Sequence, residues 1–448
     1  MTADVIAALD DQITGAFERW RQRPDSLESR LVRVSVAIPE TNVYDWLAAQ
    51  TETCQVLWKS KRDQQRVAGV GCADLVSGGA ADDYHDLLAR CRKFLGGAEG
   101  ARYFGGFSFQ PDSVDDDGWY SFSRARFWLP RFEMTGNALT CNLLFRADRL
   151  LTKEDVLQDL AALVFPDQYK APNLPKIVNR EDFPDESGWE GNVLAALSMI
   201  DKDVLEKIVL ARRADYRFAE PASAAEIMAK LSRVTTNCFH FILQPDRSAG
   251  FMGTTPERLF KLEGRDITSE VIAGTRPRSE NVETDRAYSE ALLNSEKDQR
   301  EHDIVRKAMR QKLHLLCDHL EIQDDAELLL LERKQHLISR ISGRLAKGKN
   351  GADLLSSLHP TPAVGGYPRE NALREIRRLE PFSRGWYASP VGWVSENACE
   401  FAVAIRSGLV QDSKVSVYSG AGIVAGSDPR EEWQEIENKI SDFVKVTQ

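Results

Sequence analysis

Two acidic stretches carry the residues best suited to chemistry in this sequence. In SEKDQREHDIVR (295–306) Asp298 and Glu301 stand three apart, and in EEWQEIENK (431–439) Glu432 and Glu435 repeat that spacing. Residues three or four apart share a helix face, so each helix offers one carboxylate pair, and Lys439 joins the face of Glu435. An all-oxygen donor set suits a hard divalent cation, Mg²⁺ before Zn²⁺. Taken singly, such pairs are also common on solvated helix faces, where they bind nothing. His302 follows Glu301 but faces elsewhere on the helix and is not counted as a ligand.

Other residues could move protons or hold anions. Lys207 begins the apolar run of EKIVLARR (206–213). It is either a surface strand end or, if desolvation leaves it neutral, a base. Glu257 in FMGTTPERLF (251–260) follows a turn. A carboxyl there is solvated, or in an apolar cleft its pKa rises and it becomes an acid. A lysine base and a glutamic acid on opposite faces of one substrate suit addition of water with loss of hydroxide. AGTRPR (273–278) offers backbone amides and two arginines, and VAIRSG (403–408) places Arg406 at a strand position among apolar neighbours. That guanidinium needs an anion, supplied by a substrate carboxylate or by a structural salt bridge. LHPTPAVGGYP (358–368) is a Pro/Gly loop carrying His359. GAGIVAG (420–426) is not a dinucleotide fingerprint, because its third glycine falls one place late and no βαβ unit follows.

These residues need a scaffold, and the pattern supplies one. The chain has 448 residues with 42% hydrophobic and 28% charged content, ordinary for a globular protein with a sizeable core. A net charge of −10 argues against nucleic-acid binding yet leaves room for an anionic small substrate in one basic cleft. The seven cysteines are scattered and never in C-x-x-C, which fits reduced thiols in the cytoplasm. The first residues mix Asp, Glu and Arg unlike a signal peptide, and no apolar run approaches the roughly 18 residues of a membrane span.

Helical spacing marks 1–30, and strands follow at 31–38, 56–60, 66–76, 101–109, 125–135 and 139–145, with a helix near 80–96. The composition makes 111–118 a loop, with Asp115–Asp117 at its tip, and 171–188 a connector. Beyond it come a helix at 189–203, a strand at 207–218, a helix from about 222, and strands at 238–245, 258–264 and 268–275. One long helix is expected over 284–320, then a strand at 332–345, short helices, and strands at 393–395, 400–410 and 414–420. The last of these enters a Gly-rich turn at Gly420–Gly422, before a helix announced by Ser427, Asp428 and Pro429. Strands interspersed with helices without βαβ alternation predict an α+β fold, with large, mostly antiparallel sheets flanked by helices. Residues 1–170 are expected to pack on a catalytic region, 190–448, as one structural unit. With no heptad or apolar interface stripe, a monomer is expected.

Taken in order, KIVLAR, GTTPERLF, IAGTRPR, SEKDQREH, LHPTPAVGG, AIRSG, YSGAGIV and EEWQEIENK resemble the chorismate-utilising enzymes, the family of isochorismate, anthranilate, aminodeoxychorismate and salicylate synthases. The resemblance covers about residues 190–448 and is strongest to the isochorismate synthases of the menaquinone pathway. It implies the anthranilate synthase component I-like, chorismate-binding fold and chorismate as substrate. Lys207 would activate water for attack at C2, and Glu257 would protonate the departing C4 hydroxyl. Mg²⁺ would bridge the ring carboxylate to Glu301 and Glu435, with Asp298 and Glu432 acting directly or through water. Asp298 departs from the Glu of many relatives. Arg406, Lys439, Thr275 and the amides of Gly274 and Gly420 would hold the substrate carboxylates, and His359 and Ala363 would line the ring pocket. Lys207 stands where ammonia-using relatives have Gln, and Ala363 where they have Thr; both favour water. Salicylate synthases share the lysine and then eliminate pyruvate, so they and the siderophore-pathway isochorismate synthases remain the rivals within the family. A relative that binds chorismate without turnover is the rival from outside catalysis.

Overall fold

Runs such as RLVRVSVA and KVSVYSGAGI alternate or bury successive residues, and they pair edge to edge into two large antiparallel sheets. The protein is described from a computed structural model covering residues 2–22, 29–51, 54–61, 66–79, 82–110, 118–146, 148–166 and 174–447. The first sheet runs Arg30–Ala37, Ala138–Phe145, Phe132–Thr135, Arg66–Val70, Gln55–Lys59, Phe239–Asp246, Ala249–Thr255, Ser407–Gln411, Lys414–Ile423, Lys207–Phe218 and Gly366–Tyr367. Ile177–Phe183 also pairs with Lys207–Phe218. The second runs Cys317–Ile322, Lys334–Leu345, Asp266–Pro277, Arg258–Glu263, Ala398–Val403, Pro390–Val394, Tyr103–Phe107, Ala125–Leu129 and Asp74–Gly78, with Glu327–Leu330 beside Lys334–Leu345.

Alternation along the strands builds two cores. Phe241 and Tyr418 of the first sheet join Phe127, Phe260 and Phe401 of the second in one cluster. Their neighbours Ile242 and Val417 point the other way, onto Leu9, Ile13 and Phe17 of the helix Thr2–Arg21 and onto Ile440 and Phe443 of the helix Pro429–Thr447. Strand pairing crosses the chain twice: Gln55–Lys59 bonds to Phe239–Asp246, and Tyr103–Phe107 to Pro390–Val394. All seven cysteines are free thiols. Among the described residues no helix is long and apolar enough to cross a membrane.

Four local expectations are corrected. The helix expected over 284–320 is two helices, Val282–Leu293 and Glu296–His314, and Leu320 belongs to a strand. Ser295 makes the break, because its hydroxyl caps the second helix by accepting from the Asp298 amide. Gly420–Gly422 is no turn; it lies inside the strand Lys414–Ile423, paired with Lys207–Phe218. The strand expected over 400–410 is interrupted at Ala404–Arg406, where Arg406 takes φ 50°. The connector expected over 171–188 holds the strand Ile177–Phe183, and the helix Glu186–Asp201 starts within it. Residues 111–117, with the acidic tip, lie outside the described residues.

Candidate active site

Lys207 opens the strand that lies beside Lys414–Ile423, and its side chain is completely buried. Its ammonium sits 2.9 Å from Oε1 of Glu301, which the helix Glu296–His314 supplies. The pair closes over Gly422: a Cβ there would lie 2.2 Å from that Glu301 oxygen and 2.9 Å from Cε of Lys207. A glycine inside a strand weakens it, and here that loss creates the room for an ion pair.

Glu257 comes from the link between Ala249–Thr255 and Arg258–Glu263, with its carboxyl buried in the cavity wall and in no ion pair among the described residues. Burial pushes its pKa up to about 7, with Glu270 adding to the rise while Lys207, Lys61 and Lys439 oppose it. It is therefore an acid able to hold a proton near neutrality.

A cavity opens between Glu257 and Glu301, and Ile272, Tyr387, Arg406 and Lys439 also line it. One end of it is built around a bulge. Pairing between Asp266–Pro277 and Lys334–Leu345 shifts register after Ala273, and Gly274 adopts φ +68°. His336 Nδ1 lies 2.9 Å from the Gly274 carbonyl and 3.2 Å from Oγ1 of Thr275. Burial first, then the charges of Arg406, Lys439 and Lys334, pushes the imidazole pKa well below its ordinary value. The neutral ring donates from Nδ1 to the Gly274 carbonyl, and Nε2 accepts from Nη2 of Arg406 at 2.7 Å. Arg406 thus rests on a neutral acceptor and, among the described residues, has no carboxylate partner.

The four candidate ligands each have a cation. Glu301 has Lys207, Glu435 has Lys439 at 2.7 Å, Asp298 has Arg276 at 2.7 Å, and Glu432 has Lys297. Lys439 also donates to the Gly420 carbonyl at 2.8 Å. The carboxylates feel one another: burial and the charge of Glu435 push Glu432 up to about 7 against Lys297. Burial also raises Asp298, with Glu301 and Glu435 adding to it against Ser295 and Arg276. Burial would raise Glu435 too, but Lys439, Lys297 and Arg276 outweigh it and hold the group below the usual range. Among the described residues no three His, Cys, Asp or Glu side chains are gathered as for a metal ion. The donor chemistry nevertheless fits a hard cation, since the two helices offer only carboxylate oxygens, each neutralised by an ammonium or guanidinium group.

Of the sequence-derived site residues, Glu257, Gly274, Thr275, Glu301, Ala363, Arg406, Gly420, Glu435 and Lys439 line this cavity. Lys207 stands behind Glu301, and Asp298 and Glu432 lie one helical step outside the lining. His359 is not brought to the cavity; its Nε2 faces the Phe109 carbonyl at 3.3 Å, and burial lowers its pKa to about 3. His302 binds Ser339 and stays out of the site. Sequence reading missed His336 and Tyr387, which line the cavity; Tyr387 stacks on Tyr418 with ring centroids 5.1 Å apart. The available signal for His336 was a ring that needs two polar partners inside a strand buried at every neighbouring position.

The chain is similar to known proteins. Residues 16–448 match the family described as chorismate binding enzyme. The chain is 31% identical to isochorismate synthase 2, chloroplastic, of Arabidopsis thaliana, covering 98% of this chain and 84% of that one. It is also 31% identical to isochorismate synthase MenF of Escherichia coli (strain K12), covering 91% and 92%. The solved structure of the menaquinone-specific isochorismate synthase from Escherichia coli aligns with a TM-score of 0.82 at 29% identity, over 97% of this chain and 99% of that one. This chain therefore belongs to the chorismate-binding enzymes.

Proposed function

We propose that the protein is an isochorismate synthase serving menaquinone synthesis, converting chorismate to isochorismate. The observation that carries this reading is a carboxyl with a pKa near 7 at a cavity whose arginine has, among the described residues, no carboxylate partner, with a buried lysine directly behind the cavity's Glu301. In its neutral form Lys207 takes a proton from water as the water oxygen bonds to C2. The ring π electrons shift, the C4–O bond breaks, and Glu257 delivers its proton to the departing hydroxyl, which leaves as water. One water enters and one leaves, so the substrate is isomerised. Arg406, Lys439, Thr275 and the backbone at Gly274 and Gly420 hold the carboxylates, and Ala363 keeps the wall small. Glu301 and Glu435, with Asp298 and Glu432, would hold Mg²⁺, which when bound supplies positive charge opposite the ring carboxylate.

Incubation of the purified protein with chorismate, in Mg²⁺ or in EDTA, followed by chromatography and mass analysis, tests this. Isochorismate alone, formed only with Mg²⁺, is expected. Salicylate with pyruvate moves the protein to the neighbouring activity, and chorismate-dependent thermal stabilisation without product makes it a binding protein. The reading includes a cytoplasmic monomer without a nucleic-acid partner, with residues 1–170 and 190–448 as one unit; sedimentation checks the monomer and a single calorimetric transition checks the unit.

A further inference from the structure

Lys61 follows the strand Gln55–Lys59, in the half of the chain where the sequence shows no chemistry. Its ammonium lies 3.0 Å from each carboxylate oxygen of Glu270, and the two side chains are only 2% and 4% exposed. Next to it Ser60 donates to Glu400 at 2.5 Å, and Glu400 also takes Arg258, the residue after Glu257, at 3.0 Å. Glu270 shares a strand face with Ile272, which lines the cavity. A buried ion pair is poor value for stability, because an apolar pair of the same volume does as well or better. Its place behind the general acid gives it another use.

We propose that the Lys61–Glu270 pair is a positioning device for Glu257: it anchors the segment that carries the acid and holds a balanced pair of charges behind it. The proposal rests on Glu257 being the general acid. Charged or titratable groups face that carboxyl from every side: Lys207, Glu270, Lys61 and Lys439, together with Arg406 and Tyr387. Within this set Lys61 favours the ionised acid and Glu270 the protonated one, so their effects oppose while the pair is intact. Separating them should expose the two effects with opposite sign.

The experiment is the pH dependence of kcat/KM for chorismate consumption at saturating Mg²⁺. Wild type is compared with Lys61→Met, Glu270→Gln, the double variant and Lys61→Arg. Activity that needs protonated Glu257 falls as pH rises through its pKa. Glu270→Gln should move that fall to lower pH and Lys61→Met to higher pH, each by on the order of half a unit. The double variant should return close to wild type, and Lys61→Arg should stay there. A merely structural pair would lower activity without moving the limb, so limbs that coincide, or move together, overturn the proposal. If Lys61→Met does not fold, the contrast between Glu270→Gln and the double variant decides. Glu257→Gln separates the two readings: if it keeps wild-type turnover and the same limb, the assignment of the acid fails, whatever the pair does.

Discussion

Glu257 and Glu435 line the same cavity, yet their surroundings push them in opposite directions. Glu257 is buried in the sheet side without an ion pair, and burial dominates. Glu435 sits on the helix side, partly exposed, where Lys439, Lys297 and Arg276 outweigh burial. One glutamate is thereby suited to donate a proton and the other to stay ionised beside a cation. The backbone explains the division: Glu257, in the link between two strands, has cations near it but, among the described residues, none paired with it, whereas the helix places Lys439 one turn from Glu435 and in contact with it.

The largest effect should come from erasing the donor side. Glu257→Gln keeps the shape and removes the proton, and Lys207→Ala removes its counterpart. Each should cut turnover about 10²–10⁴-fold in a folded protein, as general acid–base groups do. Near-normal turnover in either variant, with an unchanged melting profile, would dissolve the contrast between the two sides. Glu435→Gln should act differently, raising the Mg²⁺ concentration needed for half-maximal activity; titration with the metal reads this directly.

Gly422→Ala comes next. Its methyl group would meet the Glu301 oxygen at 2.2 Å and force apart the ion pair that joins the two sides. A displacement of about 1 Å near the chemistry is worth roughly 10²-fold in rate. Steady-state kinetics on protein whose circular dichroism matches wild type should find that loss, and normal kcat would mean the Lys207–Glu301 contact is dispensable.

These two sides were unequally legible in the sequence. Lys207 and Arg406 stand out because each is a charge in an apolar run, and the acidic pairs stand out by spacing. The order of motifs then pointed to the family that the comparisons place over residues 16–448. Spacing could not show that Ser295 would end one helix and start another inside a continuous helical pattern, since a cap is a local hydrogen bond. Nor could it show that Gly420–Gly422 continues a strand, because glycine marks a turn or a close approach equally well. His359 was conspicuous in its loop yet packs on Phe109, whereas His336 was hidden in a buried strand and reaches the cavity. His336 meets Arg406 through a side-chain contact between segments 70 residues apart, which no local pattern marks.

The pH profile sharpens the contrast further. Glu257 must be protonated to donate, so this requirement makes activity fall nearly tenfold per unit above about 7. Glu432 is also pushed up to about 7, and on the cation side the sign reverses: its ionisation favours metal binding, so affinity for Mg²⁺ should rise through the same range. Measuring kcat at saturating metal isolates the first trend, and calorimetric metal titration without substrate isolates the second. Two trends of the same sign would place both carboxyls in one role.

The smallest effect is expected at His336, which touches neither side directly. His336→Phe removes the acceptor at 2.7 Å from Arg406 and the link to the Gly274 carbonyl, while keeping an aromatic ring of similar breadth. The guanidinium keeps its charge but loses its orientation, so KM for chorismate should rise roughly tenfold, the scale of one hydrogen bond to a charged group, with kcat changed far less. His336→Gln offers a neutral acceptor again and should recover part of the loss. If instead kcat collapses while KM holds, His336 belongs with the proton-transfer residues, and the division between a donor side and an anion-holding side needs a third member.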